Sequence, residues 1–425
     1  MWRLAARWVA GLLIGGAVVW GGGASAAGAD TVFAPTPYRD GVIYPDTPAA
    51  MDAALVAFYA DWKALYLHEG CGKGRAYVAV DADQKWDVGD GVDNVLTVSE
   101  AQGYGMLALV LLADADPDAH RLFDAMLRYF HDHPSHASPA MMAWRQMQDC
   151  SNFQDTWDDG SRHEDAATAT DGDMDVGYAL LLAEARWGNS GAFDYGAEAR
   201  ATIAAIMANV VDKTNFLHIG ATEDWPEPIA HATRTSDFMM SHMQAFAAAS
   251  GDVRWGQVRQ LAYKTLAAIS NDKTGLMPDF ALNMPDHPVP AFPEFMEGGG
   301  DGMYSWNAAR TPWRVALDDL LYDSTEARAV LTPLNAFFRS ATKGDPAQVM
   351  ARYALDGSGD DIDGEGELVF TSMLAVSAMT APENRDWLAA LWQHMLHIPL
   401  RDGDYFGNTL KLMAMISVSG HWAKP

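Results

Sequence analysis

The stretch Ser99-Glu100-Ala101-Gln102-Gly103-Tyr104-Gly105-Met106 leads directly into a continuous apolar segment. A serine followed by a carboxylate and then by apolar residues predicts a helix start, with Ser99 at the N-cap and Glu100 in the first turn. The two glycines each cost a helix about 1 kcal/mol relative to alanine. A further constraint must therefore favour them, and close approach of a ligand is one candidate. The alternative interpretation of Glu100 is a charge that complements the helix dipole.

Helical periodicity extends outward from this stretch over most of the chain. Thr47 followed by Pro48 predicts a helix start, and the apolar pattern of that helix ends near Gly70. A short strand is predicted over residues 76–80. The other predicted helices are Glu100–Ala113, Pro117–His131, Ser138–Met147, Asp173–Trp187, Ala197–Val211, Ser236–Ala249, Trp255–Ile269, Ala308–Leu321, Thr325–Ala341, Leu368–Met379, Arg385–His394 and Tyr405–Val418.

About a dozen helices joined by alternately short and long loops predict an all-α fold. A closed ring of helical hairpins fits this pattern, with the long loops forming a substrate cleft. An all-α bundle or a helical solenoid fits the periodicity nearly as well, although no repeated sequence period is evident. No linker rich in proline or serine divides the chain, so residues 27–425 are predicted to form a single catalytic domain.

The N-terminus has the pattern of a secretory signal peptide. Arg3 and Arg7 precede an apolar run from Val9 to Trp20, and Ala24-Ser25-Ala26 supplies a cleavage pattern of small residues. We expect residues 1–26 to be removed and the protein to be extracellular or periplasmic. No later stretch is long and apolar enough to span a bilayer, so no stable membrane association is expected after signal removal.

The net charge of −27 disfavours nucleic acid and anionic membranes as partners. It could favour a cationic polysaccharide such as chitosan, or it could simply keep an exported protein soluble. The two cysteines, Cys71 and Cys150, could form one disulfide in an oxidising compartment or remain as thiols. Their number excludes a disulfide-dense scaffold and a cysteine-ligated metal site. The expected protein is a monomer.

A second acidic stretch, Ala169-Thr170-Asp171-Gly172-Asp173-Met174-Asp175, precedes another apolar run. Asp171 is predicted at a helix cap, with Asp173 and Asp175 in or near the first turn, where the helix dipole favours them. Three acids exceed what capping requires and could hold sugar hydroxyls or a cation. An EF-hand calcium loop is disfavoured because the later glutamate of that motif is missing.

A third stretch, from Glu297 to Arg314, places a carboxylate on a glycine-rich loop ahead of aromatic residues, an amide and two arginines. Aromatic rings beside carboxylates suit carbohydrate, because pyranose rings present apolar C–H faces together with many hydroxyls. The alternative is a solvated surface loop that leads into a helix anchored by a buried tryptophan.

These stretches, in this order, resemble glycoside hydrolase family 8. The matching motifs are S-E-A-Q-G-Y-G-M at 99–106, A-T-D-G-D-M-D at 169–175, T-R-T-S-D-F-M at 233–239, N-A-A-R-T-P-W-R at 307–314 and T-L-K-L-M-A-M-I-S-V-S-G-H-W at 409–422. The resemblance implies an (α/α)6 barrel that hydrolyses β-1,4-linked polymers with inversion, without a cofactor or metal. The family's last motif usually has two tryptophans after S-G-N, whereas this chain reads Ser419-Gly420-His421-Trp422-Ala423, which affects local packing or a subsite.

By this resemblance Glu100 is the general acid, and Asp171 contacts the sugar before the cleavage point. Glu100 must then keep its proton although a helix N-terminus lowers a carboxyl pKa, so burial or repulsion from Asp171 has to outweigh the dipole. Many family members have an aspartate as base where this chain has Asn307. A branch with asparagine there takes its base from the preceding loop in an F-L-E-G context. Phe295-Met296-Glu297-Gly298 matches that context, so Glu297 is the candidate base, with Glu294 and Asp301 as alternatives.

The remaining candidates are substrate-binding residues. Tyr104, Asp237, Asn307 and Arg310 match motif positions that orient sugar or carboxylates, and Trp144 and Trp306 are candidate stacking platforms. The predicted substrate is a β-glucan, with chitosan next and xylan after it. Two other classes of protein stay open: a polysaccharide-binding protein that lost its base, suggested by Asn307, and a polysaccharide lyase on a similar ring.

Overall fold

The structure is a computed structural model that describes residues 36–80, 94–156, 162–221, 225–359, 367–401 and 403–425. These residues belong to one compact unit. The predicted signal peptide, residues 1–26, lies outside the described residues. None of the helices in the described part of the chain is long and apolar enough to cross a membrane.

Twelve α-helices dominate the described residues. They are α1 (Pro48–Tyr66), α2 (Ser99–Leu111), α3 (Ala119–Asp132), α4 (Thr170–Trp187), α5 (Tyr195–Asn209), α6 (Met240–Ser250), α7 (Arg254–Ile269), α8 (Thr311–Tyr322), α9 (Thr325–Ala341), α10 (Leu368–Ala378), α11 (Arg385–His397) and α12 (Tyr405–Val418). Thr47 caps α1 as predicted, because its side chain accepts a hydrogen bond from the Ala50 amide.

The even-numbered helices form a closed inner ring, in which α2, α4, α6, α8, α10 and α12 each contact the next and α12 contacts α2 again. Each odd-numbered helix packs outside an inner one, and α1 closes the ring by packing on α12. The reason lies in the side chains. Inner helices such as α10 are apolar on all sides and wholly buried, whereas outer helices such as α3 have one apolar face. The predicted (α/α)6 barrel is confirmed.

Because each outer helix returns the chain to the same end of the ring, the inner helices all begin at that end. The motifs that hold the candidate site residues lie at these helix starts: Glu100 in α2, Asp171 in α4 and Arg310 just before α8. The fold therefore gathers side chains that are as far apart in sequence as residues 100 and 310.

Short strands in the loops between the helices pair into small antiparallel sheets. The described strands are β1 (Leu67–Glu69), β2 (Ala76–Val78), β3 (Val95–Val98), β4 (Arg145–Met147), β5 (Gln154–Thr156), β6 (Arg162–Glu164), β7 (Thr233–Arg234), β8 (Phe280–Leu282) and β9 (Val289–Pro290). The pairs are β1–β2, β3–β4 and β5–β6, and β8 lies between β7 and β9. Cys71 and Cys150 form a disulfide that joins the β1–β2 turn to the turn after β4.

Three local predictions are wrong. The predicted helix Ser138–Met147 is an irregular segment that ends in β4, because its backbone bonds to distant residues, such as the Trp144 amide to the Ala167 carbonyl at 2.8 Å. Ser99 is the first helical residue and not the N-cap, and Val98 occupies the cap position without a side-chain bond. Asp171 is likewise inside its helix, as the second residue of α4.

The glycines of the first motif serve packing between helices, which corrects the expectation of a close ligand. A Cβ atom added at Gly103 would lie 2.7 Å from the Asp175 Cβ atom, and one at Gly105 would lie 2.5 Å from a Val78 methyl group. On the facing helix, a Cβ atom at Gly172 would lie 2.6 Å from the Ser99 carbonyl carbon. Glycine at residues 103 and 172 lets α2 and α4 approach closely at their starts, and glycine at residue 105 makes room for Val78 of β2 and Met126 of α3.

The C-terminal motif forms most of α12 and the segment that follows it, and its side chains are buried in the interior of the ring. Trp422 is fully buried, with its ring 5.3 Å from that of Trp313. The unusual His421 lies 2.7 Å from an Asp52 carboxylate oxygen on α1. This departure from the family pattern therefore belongs to local packing between α12 and α1.

The close approach of α2 and α4 can be tested with matched glycine-to-alanine substitutions at the third position of two helices. Gly172→Ala places a methyl group against backbone atoms and should lower the free energy of unfolding by about 1–3 kcal/mol. A Cβ atom at Gly256 in α7 meets no described atom within 4 Å. Because alanine is the better helix former, Gly256→Ala should raise the free energy of unfolding by up to about 1 kcal/mol. Urea denaturation measures both. Equal effects of the same sign would show that the helices are not in close contact at Gly172.

Candidate active site

The side chain of Arg310 joins two acids from different helices. Its Nη1 atom donates to Glu100 Oε2 at 2.5 Å and to Asp171 Oδ2 at 2.8 Å. Its Nη2 atom donates to Asn307 Oδ1 at 2.7 Å. Since α2, α4 and the turn before α8 begin at the same end of the ring, one buried guanidinium reaches all three partners.

Glu100 keeps its proton up to nearly neutral pH. Burial raises the pKa of Glu100 to about 7, although the Arg310 charge lowers it, and the charge of Asp171 adds to the increase. The side chain retains 16 % of its exposure, so it can still be reached from the cleft. The helix N-terminus is thus outweighed by burial and by a neighbouring carboxylate, the two causes that the sequence suggested.

Asp171 has the opposite protonation state in the same place. Burial alone would raise its pKa, but the charges of Arg234 and Arg310 outweigh burial and hold the pKa of Asp171 at about 2. Arg234 Nη1 lies 3.5 Å from Asp171 Oδ2, and the Gly172 amide donates to Asp171 Oδ1 at 2.9 Å. The site therefore holds a neutral carboxyl group beside an ionised one, a separation typical of acid–base chemistry.

Glu297 remains open to solvent, with 46 % of its side chain exposed. The Asn307 Nδ2 atom donates to Glu297 Oε2 at 2.7 Å, and Arg234 Nη2 lies 3.8 Å from Glu297 Oε1. Asn307 in turn accepts from Arg310. One asparagine and one arginine thus link Glu297 to Glu100, and the structure brings together the two residues that the sequence paired.

The two alternative bases are placed differently. Glu294 is exposed, with a backbone φ of 59°. Asp301 is buried, and its Oδ2 atom accepts from the backbone amides of Met296, Glu297 and Gly298 at 2.7, 3.1 and 3.3 Å. Asp301 therefore holds the loop together, and of the three acids Glu297 alone contacts the Arg310 network through Asn307.

The other acids of the second motif face the protein interior. Asp173 accepts from the Met142 amide at 3.0 Å. Asp175 accepts from Arg314 at 2.8 and 2.5 Å and lies 2.9 Å from His242 Nε2. They diverge from Asp171, and the described residues contain no cluster of three or more acids, histidines or cysteines able to hold a metal ion. Asp173 and Asp175 thus bond to interior groups and do not face the site together with Asp171.

Two predicted substrate-binding residues, Tyr104 and Asp237, lie deeper in the protein than Glu100. Tyr104 lies one turn below Glu100, fully buried, with its ring 6.1 Å from that of Trp313. Asp237 is also fully buried, and burial raises its pKa to about 7. Both lie close enough to Arg310 to interact with its charge.

The two predicted platforms lie at the surface. Trp306 is 39 % exposed and meets the Phe370 ring edge to face at 5.4 Å. Trp144 is half-buried, and the Arg145 guanidinium lies 4.3 Å from its ring centroid. The Trp144 carbonyl accepts from the Ser99 amide at 2.9 Å, which places this tryptophan beside the start of α2.

Sequence reasoning missed three residues of the site. Arg234 lies in the T-R-T-S-D-F-M motif, from which only Asp237 was chosen, so the motif could have identified Arg234 as well. Phe406, half-buried at the start of α12, has its ring 5.6 Å from the Arg310 guanidinium. Asp279 is buried and accepts from the Ser305 and Ala308 amides at 3.0 and 2.7 Å, which fixes the turn that carries Asn307. The last two have no local sequence pattern that predicts these contacts.

Comparisons with known proteins show the family of this chain. A family model described as glycosyl hydrolases family 8 matches residues 75–420. The chain is similar to a beta-glucanase of Niallia circulans, with 37 % identity over 395 residues that cover 91 % of this chain and 90 % of that protein. It is also similar to an endoglucanase of Bacillus sp. strain KSM-330, with 31 % identity over 396 residues, 91 % of this chain and 80 % of that protein.

Solved structures are similar to this chain in fold. The apo structure of a beta-1,3-1,4-glucanase from Paenibacillus sp. X4 has a TM-score of 0.83 and 36 % identity, covering 93 % of this chain and all of that one. Rex8A from Paenibacillus barcinonensis, complexed with xylose, has a TM-score of 0.69 at 19 % identity, covering 90 % of this chain and 97 % of that one. At such low identity, the second likeness concerns the fold alone.

Proposed function

The chain belongs to glycoside hydrolase family 8 and is a glycoside hydrolase, and from this premise we propose that it is an inverting endo-β-glucanase. The observation that carries the proposal is the pairing of a protonated, buried Glu100 with a solvent-exposed Glu297 through Arg310 and Asn307. The beta-glucanase and endoglucanase names of the similar proteins support a β-1,4-linked or mixed-linkage glucan as the substrate.

In this mechanism Glu100 donates its proton to the leaving glycosidic oxygen as the bond from that oxygen to the anomeric carbon breaks. A water molecule attacks the anomeric carbon from the opposite face, and Glu297 takes the proton that the water loses. An inverting pair needs space for this water, which corresponds to about 6.5–9.5 Å between the two carboxyl groups. Asp171 stays ionised and can accept a hydrogen bond from a sugar hydroxyl.

Asn307 supports this assignment and answers the possibility of a binding protein without a base. An amide cannot take a proton from water. Its Nδ2 atom instead donates to Glu297, and its Oδ1 atom accepts from Arg310. Asn307 thus orients a glutamate that supplies the function which aspartate has in other members of the family.

The proposal includes export of a single catalytic domain over residues 27–425. Support comes from the arginines, apolar run and small-residue site within residues 1–26 and from the single compact unit to which the described residues belong. Trp144 and Trp306 would carry glucose rings on their exposed faces.

Azide rescue tests the base. Glu297→Ala should lower kcat on lichenan by about 100-fold or more, because the attacking water loses its proton acceptor. Azide needs no deprotonation and should restore turnover, giving an α-glycosyl azide. Glu100→Gln is the matched variant, for which azide should restore nothing, since the leaving oxygen still lacks its acid.

Unchanged turnover by Glu297→Ala, or a β-glycosyl azide product, would contradict the inverting assignment. Reducing-end release by the wild-type enzyme is measured on lichenan, carboxymethylcellulose and chitosan in the same series. Activity on chitosan alone would contradict the choice of a glucan.

The pH profile tests the acid. Glu100 acts only when protonated, so kcat/KM should fall as the pH rises through about 7, the pKa that burial gives this carboxyl. Asp171→Asn removes a negative charge that raises the pKa of Glu100, while the Arg310 charge that lowers this pKa remains. The falling limb of the residual activity should therefore move to lower pH.

Asp132→Asn is the control. Asp132 is the last residue of the outer helix α3, where it forms an ion pair with Arg75 at the surface. Its profile should match that of the wild type. If the high-pH limb of kcat/KM in Asp171→Asn stays at the wild-type pH, the ionisation of Glu100 does not govern that limb.

A further inference from the structure

The loop that carries Glu297 has little in its own sequence to hold it still. Three glycines follow the glutamate directly, and half of the Glu297 side chain faces solvent. Glycine loses more conformational freedom on ordering than any other residue. A catalytic group has to be held within about 0.5 Å of its working position, so this loop needs an anchor.

Asp301 provides that anchor. Its Oδ2 atom accepts hydrogen bonds from three successive amides, those of Met296, Glu297 and Gly298, at 2.7, 3.1 and 3.3 Å. Successive amides that converge on one anionic oxygen form a concave cradle, and such charge-assisted bonds are roughly twice as strong as neutral ones. The middle amide of the three belongs to Glu297 itself.

The anchor is fixed to the core of the protein. Asp301 is buried, and its carbonyl oxygen accepts from the Phe280 amide of β8 at 3.0 Å. A Cβ atom at the next residue, Gly302, would lie 2.1 Å from the Ala291 carbonyl oxygen, so the two arms of the loop press against each other there. Asp279, the neighbour of Phe280, holds the turn that carries Asn307. Glu297 and Asn307 are thus both positioned from residues 279–280.

We infer that Asp301 is a positioning residue, which sets the backbone of the loop so that Glu297 can activate water. The inference rests on the proposed role of Glu297 as base. Asn307 and Arg234 can orient the Glu297 carboxylate only while its backbone stays in place. Asp301 does not touch the substrate, because its carboxylate is turned inward to the three amides.

Asp301→Asn keeps the shape of the side chain and one acceptor oxygen but removes the charge. Kinetics on lichenan should show kcat about 100-fold lower, since a displacement of about 1 Å can cost this much, with KM within about threefold of the wild type. Azide should restore much of the lost turnover and give the α-glycosyl azide, because it bypasses the displaced base. A loss of folded protein could not be rescued in this way.

The matched control is Asp194→Asn. Asp194 also accepts from a backbone amide, that of Ala197 at 2.9 Å. It lies beyond the far end of α4, about 27 Å along that helix from the site. The kcat and KM of Asp194→Asn should equal those of the wild type.

Wild-type kcat in Asp301→Asn would overturn the inference, as would a failure of azide to rescue that variant while it rescues Glu297→Ala. If azide rescues neither and Glu297→Ala keeps its turnover, the proposed base is wrong instead. Should Asp301→Asn not fold, hydrogen exchange on the wild-type enzyme decides. The amides of residues 296–298 should exchange at least 10-fold more slowly than in an unstructured peptide, and unprotected exchange would overturn the inference.

Discussion

One guanidinium group, that of Arg310, is shared by the carboxylates of Glu100 and Asp171, and the protonation of the site depends on this sharing. Two buried acids compete for one positive charge. Asp171 has a second arginine, Arg234, and stays ionised, whereas burial leaves Glu100 with a pKa of about 7. The same guanidinium holds Asn307 and, through it, Glu297. A single side chain thus relates an acid, an ionised neighbour and the candidate base.

The ring of helices makes this sharing possible. The six inner helices begin at one end of the barrel, so their first turns converge on the cleft, and glycines at residues 103 and 172 let α2 and α4 meet closely there. A helix N-terminus would favour the charged form of Glu100. Burial outweighs that tendency, and the helix starts therefore serve to position the acids more than to set their charge. The candidate base differs in kind, since it lies on a loop that needs Asp301 to hold it.

Apolar periodicity and the threonine cap before Pro48 predicted most of the helices, because these depend on neighbouring residues. Periodicity alone left a bundle or a solenoid open, and the ring followed from the ordered motifs and the family resemblance that they carry. Sequence reasoning failed where distant residues decide the structure. The segment from Ser138 to Met147 has helical periodicity, yet its amides bond to residues such as Ala167. Tyr104 and Asp237 lie in site motifs but are fully buried. The contacts of Asp279 and Phe406 depend on loops that come together only in the folded chain, so no local pattern predicts them.

The central claim is that Glu100 and Glu297 act on opposite faces of the sugar ring, one giving a proton and the other taking one from water. Proton NMR of the first products from a mixed-linkage glucan oligosaccharide, recorded before the anomers interconvert, tests this claim most directly. The account predicts that the new reducing end appears first as the α-anomer. Initial release of the β-anomer would contradict it, because that outcome requires a covalent intermediate and a second carboxylate much closer to the first.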